Sequence, residues 1–188
     1  MTITINKSAA WGMRTPAKPY STHTPTSATI HNMGTESALI KPNWALADSI
    51  PALQSVERHH VDTNGWNAIG YHLIVMPDGS VWEGRPLSAI GAHVAKKNTG
   101  RIGILFYGSF DHEKPTPEQI TTLYMLRDWL RKEHGITRID THGEISPTKC
   151  PGKHLQAAVD NMRAGKTVES SLSPDEIRAE IIRLLDLL

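Results

Sequence analysis

Apolar residues recur along this chain with two spacings, and the switches between them mark the elements. Ala28-Thr29-Ile30-His31 has the β-branched character of a short strand, which ends at His31 where Asn32, Met33 and Gly34 break the pattern. Residues 69–75, Ile-Gly-Tyr-His-Leu-Ile-Val, are too apolar for a strand with one face in water and predict a central strand buried on both faces. Pro77-Asp78-Gly79 then signals a turn, and Val81-Trp82-Glu83 returns as the second strand of a hairpin at the sheet centre. Residues 102–107 form a further buried strand, and a short strand is expected over 137–140.

Helical spacing appears in two places within this alternation. Ile50, Leu53 and Val56, with His60 continuing the spacing, predict an amphipathic helix with Ser49 as N-cap and Pro51 in its first turn, stopped at Asn64-Gly65. Thr116, Pro117 and Gln119 form a capping box ahead of the stripe Ile120, Leu123, Leu126 and Leu130, and Gly135 supplies the stop. Residues 36–48 are expected to be a loop. Residues 1–27, rich in Pro, Ser and Thr, are expected to lie extended over the domain, anchored by Trp11. Strands alternating with two core helices predict an α/β fold, a mixed central β-sheet flanked by helices. Past residue 160 the composition changes. The expected organisation is a domain over 1–160, a linker over 161–172 and an amphipathic helix over 173–188, a C-terminal helical appendage with Ser173-Pro174-Asp175-Glu176 at its start.

Charge narrows the function classes. Lys and Arg number 20 against 19 Asp and Glu in 188 residues, with no block of one sign, which argues against a nucleic-acid partner. No apolar run reaches signal-peptide or membrane-span length, so the expected product is soluble, made in the cytoplasm and without membrane insertion. The single cysteine, Cys150, excludes an internal disulfide and leaves a ligand or reactive role open.

Cys150 follows His142 by eight residues in Asp140-Thr141-His142-Gly143-Glu144-Ile145-Ser146-Pro147-Thr148-Lys149-Cys150-Pro151-Gly152, a stretch whose Pro and Gly predict a loop. Thiolate and imidazole are both good Zn²⁺ ligands, and two of them with a third from elsewhere would leave an open position for water. On spacing alone, a buried Cys and an ordinary His explain the same residues.

Further stretches complete a pattern: Ser8-Ala9-Ala10-Trp11-Gly12-Met13-Arg14, Ile30-His31, Gly65-Trp66-Asn67-Ala68-Ile69-Gly70-Tyr71-His72, Asp78-Gly79 to Glu83-Gly84-Arg85, Gly91-Ala92-His93, and Asn98 to Gly103-Ile104. With the loop of His142 and Cys150, these resemble in order, over residues 8–155, the zinc-dependent N-acetylmuramoyl-L-alanine amidases of the type 2 amidase and peptidoglycan-recognition-protein superfamily, phage endolysins included. The resemblance implies Zn²⁺ held by His31, His142 and Cys150, and cleavage of the amide between N-acetylmuramic acid and the L-alanine of the stem peptide. Tyr71 matches the active-site tyrosine. Two residues before the cysteine, where many phage members carry lysine and active animal members threonine, stands Thr148, to which the assisting role is assigned; Lys149 lies beside it.

His72, His93 and Lys149 are expected to line the substrate groove; for the two histidines, orienting a neighbour or a purely structural place is the alternative. Trp66 and Trp82 are expected in the core, and Glu83 and Arg85 in the hairpin and groove wall. The implied partner is bacterial peptidoglycan. As an endolysin the protein would accumulate in the host cytoplasm and act on the wall once the membrane is permeabilised; a recycling amidase and a non-catalytic muropeptide-binding module are the alternatives. The terminal helix would pack on the domain, self-associate through its apolar stripe, or lead to a wall-binding domain.

Overall fold

The computed structural model of the chain describes residues 3–168 together with 174, 175, 177 and 178. Apart from those four residues, the helix expected over 173–188 lies outside the described residues, and so do 169–172 of the expected linker.

The strands are β1 (Ile5–Asn6), β2 (Ser27–His31), β3 (Leu73–Val75), β4 (Val81–Glu83), β5 (Arg101–Phe106) and β6 (Arg138–Thr141), joined in one sheet of order β1-β4-β3-β5-β2-β6. Only the β3–β4 hairpin is antiparallel, so the sheet is mixed. Its centre is the β3–β5 pair rather than the hairpin itself. The helices are α1 (Leu46–Arg58), α2 (Pro117–His134), the single turn α3 (His142–Ile145) and α4 (Lys153–Arg163).

Both sheet faces are covered, which explains the unbroken apolar runs. Leu73, Val75, Ile104 and Phe106 pack against Leu123, Leu126 and Leu130 of α2 and Val159 of α4. The alternate residues Ile74 and Leu105 pack on the other side with Leu53 and Val56 of α1 and with Trp11. Trp11 is 1% exposed and donates its indole N–H to the Glu83 carbonyl at 2.8 Å, pinning the N-terminal segment as expected.

The capping box of α2 is present: Gln119 N–H donates to Thr116 Oγ1 at 3.1 Å, Thr116 N–H to Gln119 Oε1 at 3.2 Å, and Gly135 closes the helix at φ 66°. For α1 the start differs. The helix begins at Leu46, where the Asp48 carboxylate accepts the Ala45 N–H at 2.8 Å, and Ser49 is buried inside it, accepting from the Trp44 indole at 3.3 Å. A carboxylate three residues into a helix caps it from within, so no hydroxyl at the boundary is needed. The helix α4, whose Leu155, Ala158, Val159 and Met162 are buried, was not foreseen; it runs three residues past the expected domain boundary at 160. Among the described residues no helix is long and apolar enough to cross a membrane.

Candidate metal centre and active site

Strand register assembles the site. Parallel strands β2 and β6 pair Ile30 with Thr141, so the next residues, His31 as the last of β2 and His142 just past β6, stand side by side at the carboxyl ends of neighbouring strands. Such ends open into the crevice where α/β sheets hold ligands. His142 starts the one-turn helix α3, a local departure from the expected loop, and the imidazole centroids are 4.7 Å apart.

Cys150 is brought back by the loop after α3. Gly143 N–H donates to the Cys150 carbonyl at 2.7 Å, and a Cβ on Gly143 would sit 3.0 Å from the carbonyl oxygens of both Thr148 and Cys150, so the return is tight enough to favour glycine. Glu144 clamps the other side, its carboxylate accepting Thr141 N–H at 2.6 Å and pairing with Arg163 of α4 at 2.7 Å. Arg163 holds the Glu144 carboxyl down to about 2. Lys97 adds a third tie, donating to the Ile145 carbonyl at 2.6 Å.

The result places Cys150 Sγ 3.8 Å from His31 Nδ1, and one donor atom each from His31, His142 and Cys150 lies within 4.8 Å of the others. Tetrahedral zinc, with bonds of about 2.0–2.3 Å, needs donors about 3.3–3.8 Å apart, so the set fits after a contraction of roughly 1 Å at its widest. Burial depresses the His31 imidazole well below its usual range, with the neighbouring histidines adding to it, and depresses His142 in the same direction. Both rings are therefore neutral near pH 7, the form that binds metal. Burial pushes the Cys150 thiol up to about 11, against the pull of the Asn32 N–H, which donates to Sγ at 3.4 Å. His31 is 2% exposed, whereas His142 and Cys150 are half-buried, so the donors open to solvent on one side.

Tyr71 packs over this group, its ring centroid 5.3 Å from that of His31. Burial, and then the nearby Cys150, hold its hydroxyl well above the usual phenol range, so it remains a donor at neutral pH. Tyr71 and His72 lie just before β3 rather than within the regular hairpin strand, because the ladder begins only at Leu73. The tyrosine is set from behind by His60. At the turn of π-helix that follows α1, His60 Nδ1 accepts the Gly70 N–H at 3.1 Å, and its ring lies 5.5 Å from Tyr71. Trp66 stacks on the outer face of His60 at 4.6 Å and is 36% exposed, so the expectation of a core residue is corrected: it forms the rim of the site. Trp82, 4% exposed, is core as expected.

Thr148 is exposed, and its Oγ1 accepts the Cys150 N–H at 3.2 Å, which leaves its own O–H free to donate. Lys149 is exposed on the same loop. His72 does not line a groove. Its ring is 0% exposed, Nε2 faces the Ala89 carbonyl at 2.8 Å and Nδ1 accepts Gly103 N–H at 2.9 Å, a wholly structural arrangement. His93, 8% exposed, is likewise turned inward, with Nδ1 3.0 Å from His31 Nε2. Arg85 braces the wall by donating to the carbonyls of Ile69, Ala68 and Ile90. His60 was not singled out in the sequence, although the spacing of Ile50, Leu53 and Val56 that it continues beyond the end of α1 was the available signal.

A family model described as N-acetylmuramoyl-L-alanine amidase matches residues 21–153. The chain is 35% identical over 106 residues to peptidoglycan-recognition protein SC1a of Drosophila melanogaster, a match of 55% of this chain and 57% of that protein, so it spans little more than half the length of that relative. It is 31% identical over 157 residues to peptidoglycan-recognition protein SC2 of the same species, covering 81% of this chain and 83% of the relative. Its fold superposes with a TM-score of 0.68 on the endolysin N-acetylmuramoyl-L-alanine amidase LysCS from Clostridium intestinale URNW, at 26% identity over 89% of this chain and 99% of that one.

Proposed function

The chain belongs to the N-acetylmuramoyl-L-alanine amidase family, and from that premise we propose that it is a zinc hydrolase cutting the amide between N-acetylmuramic acid and the L-alanine of the peptidoglycan stem peptide. The observation that carries this is the donor set itself. Among the described residues the group holds three donors, His31, His142 and Cys150, and is open on one side, whereas structural zinc is closed by four.

Zinc held there by His31, His142 and Cys150 would supply a Lewis acid able to polarise the scissile carbonyl and to lower the pKa of water toward about 7. The protein's own groups do the rest. Tyr71 stands over the centre with its hydroxyl protonated and donates to the carbonyl oxygen as negative charge grows on it. Thr148 offers a second O–H from the loop, its lone pair occupied by the Cys150 N–H. His31 and His142 enter neutral, so no imidazole proton has to leave before metal binds. In balance, one water is consumed: its oxygen joins the lactyl carbonyl carbon, the C–N bond breaks, and its proton passes to the alanine nitrogen, freeing an amine.

Purified peptidoglycan digested with the protein will release stem peptides bearing a free N-terminal L-alanine, read by mass spectrometry. Zinc and muropeptide binding without such peptides would instead make it a recognition module. The likeness to LysCS supports a narrower role as a phage endolysin. Bacteria expressing the chain will then stay intact until chloroform opens the membrane, and lyse afterwards; intact cells after chloroform would count against that role.

A further inference from the structure

Building on the metal reading of His31, we propose that His93 is a positioning residue that dictates which nitrogen of His31 is presented to the metal. Nε2 of His31 and Nδ1 of His93 are 3.0 Å apart, with the rings edge to face at 82°, so His31 meets His93 with one nitrogen and Cys150 with the other, Nδ1. A neutral imidazole carries one proton. If that proton sits on Nε2 of His31, it is donated to Nδ1 of His93, and Nδ1 of His31 keeps its lone pair facing the metal position. If His93 instead carried its proton on Nδ1, it would donate to Nε2 of His31 and force the His31 proton onto Nδ1, the atom that faces Cys150.

His93 is built to take the first arrangement. Its ring lies against Gly91 and Gly103, where an added Cβ would come to 2.5 Å from ring carbons, so both positions must be glycine for the ring to sit there. Asn98 Oδ1 accepts both the His93 and the Val94 N–H, at 2.9 and 2.8 Å, fixing the backbone that carries the ring. Behind it stands His72, whose own tautomer is locked between the Ala89 carbonyl and the Gly103 N–H. Nε2 of His93 is buried and no N–H among the described residues donates to it, so nothing in the surroundings makes Nε2 the acceptor and Nδ1 the donor. A proton on Nε2 leaves Nδ1 as the acceptor that His31 requires.

The test compares the full chain with His93→Leu and His93→Asn, which have the same shape but differ in an acceptor oxygen near the place of Nδ1. Zinc affinity is measured by competition with a fluorescent chelator, and the His31 tautomer by ¹⁵N ring shifts of the zinc-free protein. The leucine variant will bind zinc about 10–100-fold more weakly, the usual effect of removing a hydrogen-bond partner from a metal-ligating histidine, and asparagine will recover most of that. Zinc-free wild type will carry the His31 proton on Nε2. Equal affinity in the two variants, or a His31 proton on Nδ1, overturns the assignment. Should the leucine variant not fold, the wild-type tautomer still decides. A wild type that binds no zinc defeats the metal reading, while the tautomer measurement continues to test His93.

Discussion

Cys150 Sγ lies 3.8 Å from Nδ1 of His31, although 119 residues separate them in the chain. The contact depends on two independent pieces of architecture: the parallel register that ends β2 beside β6, and the return of the loop onto Gly143. Metal at this contact therefore joins the sheet to that loop, and binding to the folded form alone should stabilise the whole domain.

Zinc will raise the melting temperature of the wild type, by the equivalent of about 2.7 kcal/mol when free metal stands at 100 times its Kd. Cys150→Ser, with a weaker donor at the same position, will lose most of that gain, as followed by thermal unfolding with and without a chelator. Equal shifts in both proteins would mean that zinc binds elsewhere.

Tyr71→Phe removes one donor and keeps the ring that covers His31. We expect kcat to fall about 100–1,000-fold, the range for loss of a single oxyanion donor. Zinc content, measured on the purified variant, will be unchanged; a proportional drop in zinc would assign Tyr71 to the metal site's integrity instead.

Thr148 and Lys149 are separated by paired substitutions. Thr148→Ala removes both the acceptor for the Cys150 N–H and the free hydroxyl, and will lower turnover at least about tenfold, while Thr148→Ser retains it. Lys149→Ala will leave turnover near wild type. Abolition by the lysine change alone would reverse the assignment.

Acid will destabilise the fold through its buried histidines. Burial pushes His60 and His72 down to about 4 from an ordinary value of 6.5. Both are neutral in the folded protein at a pH where the unfolded chain takes up protons, so their stabilisation is present above about 6.5 and is lost as pH falls toward about 4. Each group accounts for roughly 3 kcal/mol across that window. His60→Asn keeps an acceptor for the Gly70 N–H but cannot titrate, so urea unfolding between pH 7 and 5 will show a slope flatter by up to about 1.4 kcal/mol per pH unit. An unchanged slope would show that His60 is not held neutral.

Local signals were legible wherever one residue's chemistry settles the backbone. Thr116, Pro117 and Gln119 specify the start of α2 by hydrogen bonds within a single turn, and Gly135 its end. The apolar runs at 69–75 and 102–107 place two strands in the middle of a covered sheet, although β3 is shorter than its run; before it and after β4, Gly70 and Gly84 lie so close to the carbonyls of Ala92 and Tyr71 that neither has room for a Cβ. α4 escaped notice because its apolar residues follow directly on the Pro-Gly loop, and the boundary of α1 because its cap is a side chain reaching back from Asp48.

By itself, then, the sequence determined the fold class, the main helix and strands, and, through motifs in the right order, the family; the fold brings together the three residues those motifs single out, His31, His142 and Cys150. Only the tertiary structure decided which side chains stand beside them. Trp66 and His72 are both next to the tyrosine motif, yet one is at the rim and the other is fully enclosed, because exposure is set by what packs across from a residue. His93 meets His31 across 62 positions, and His60 supports Tyr71 through the Gly70 N–H. Spacing along one chain does not encode such meetings; they arise from strand register and glycine-sized gaps, which exist only once the sheet has formed.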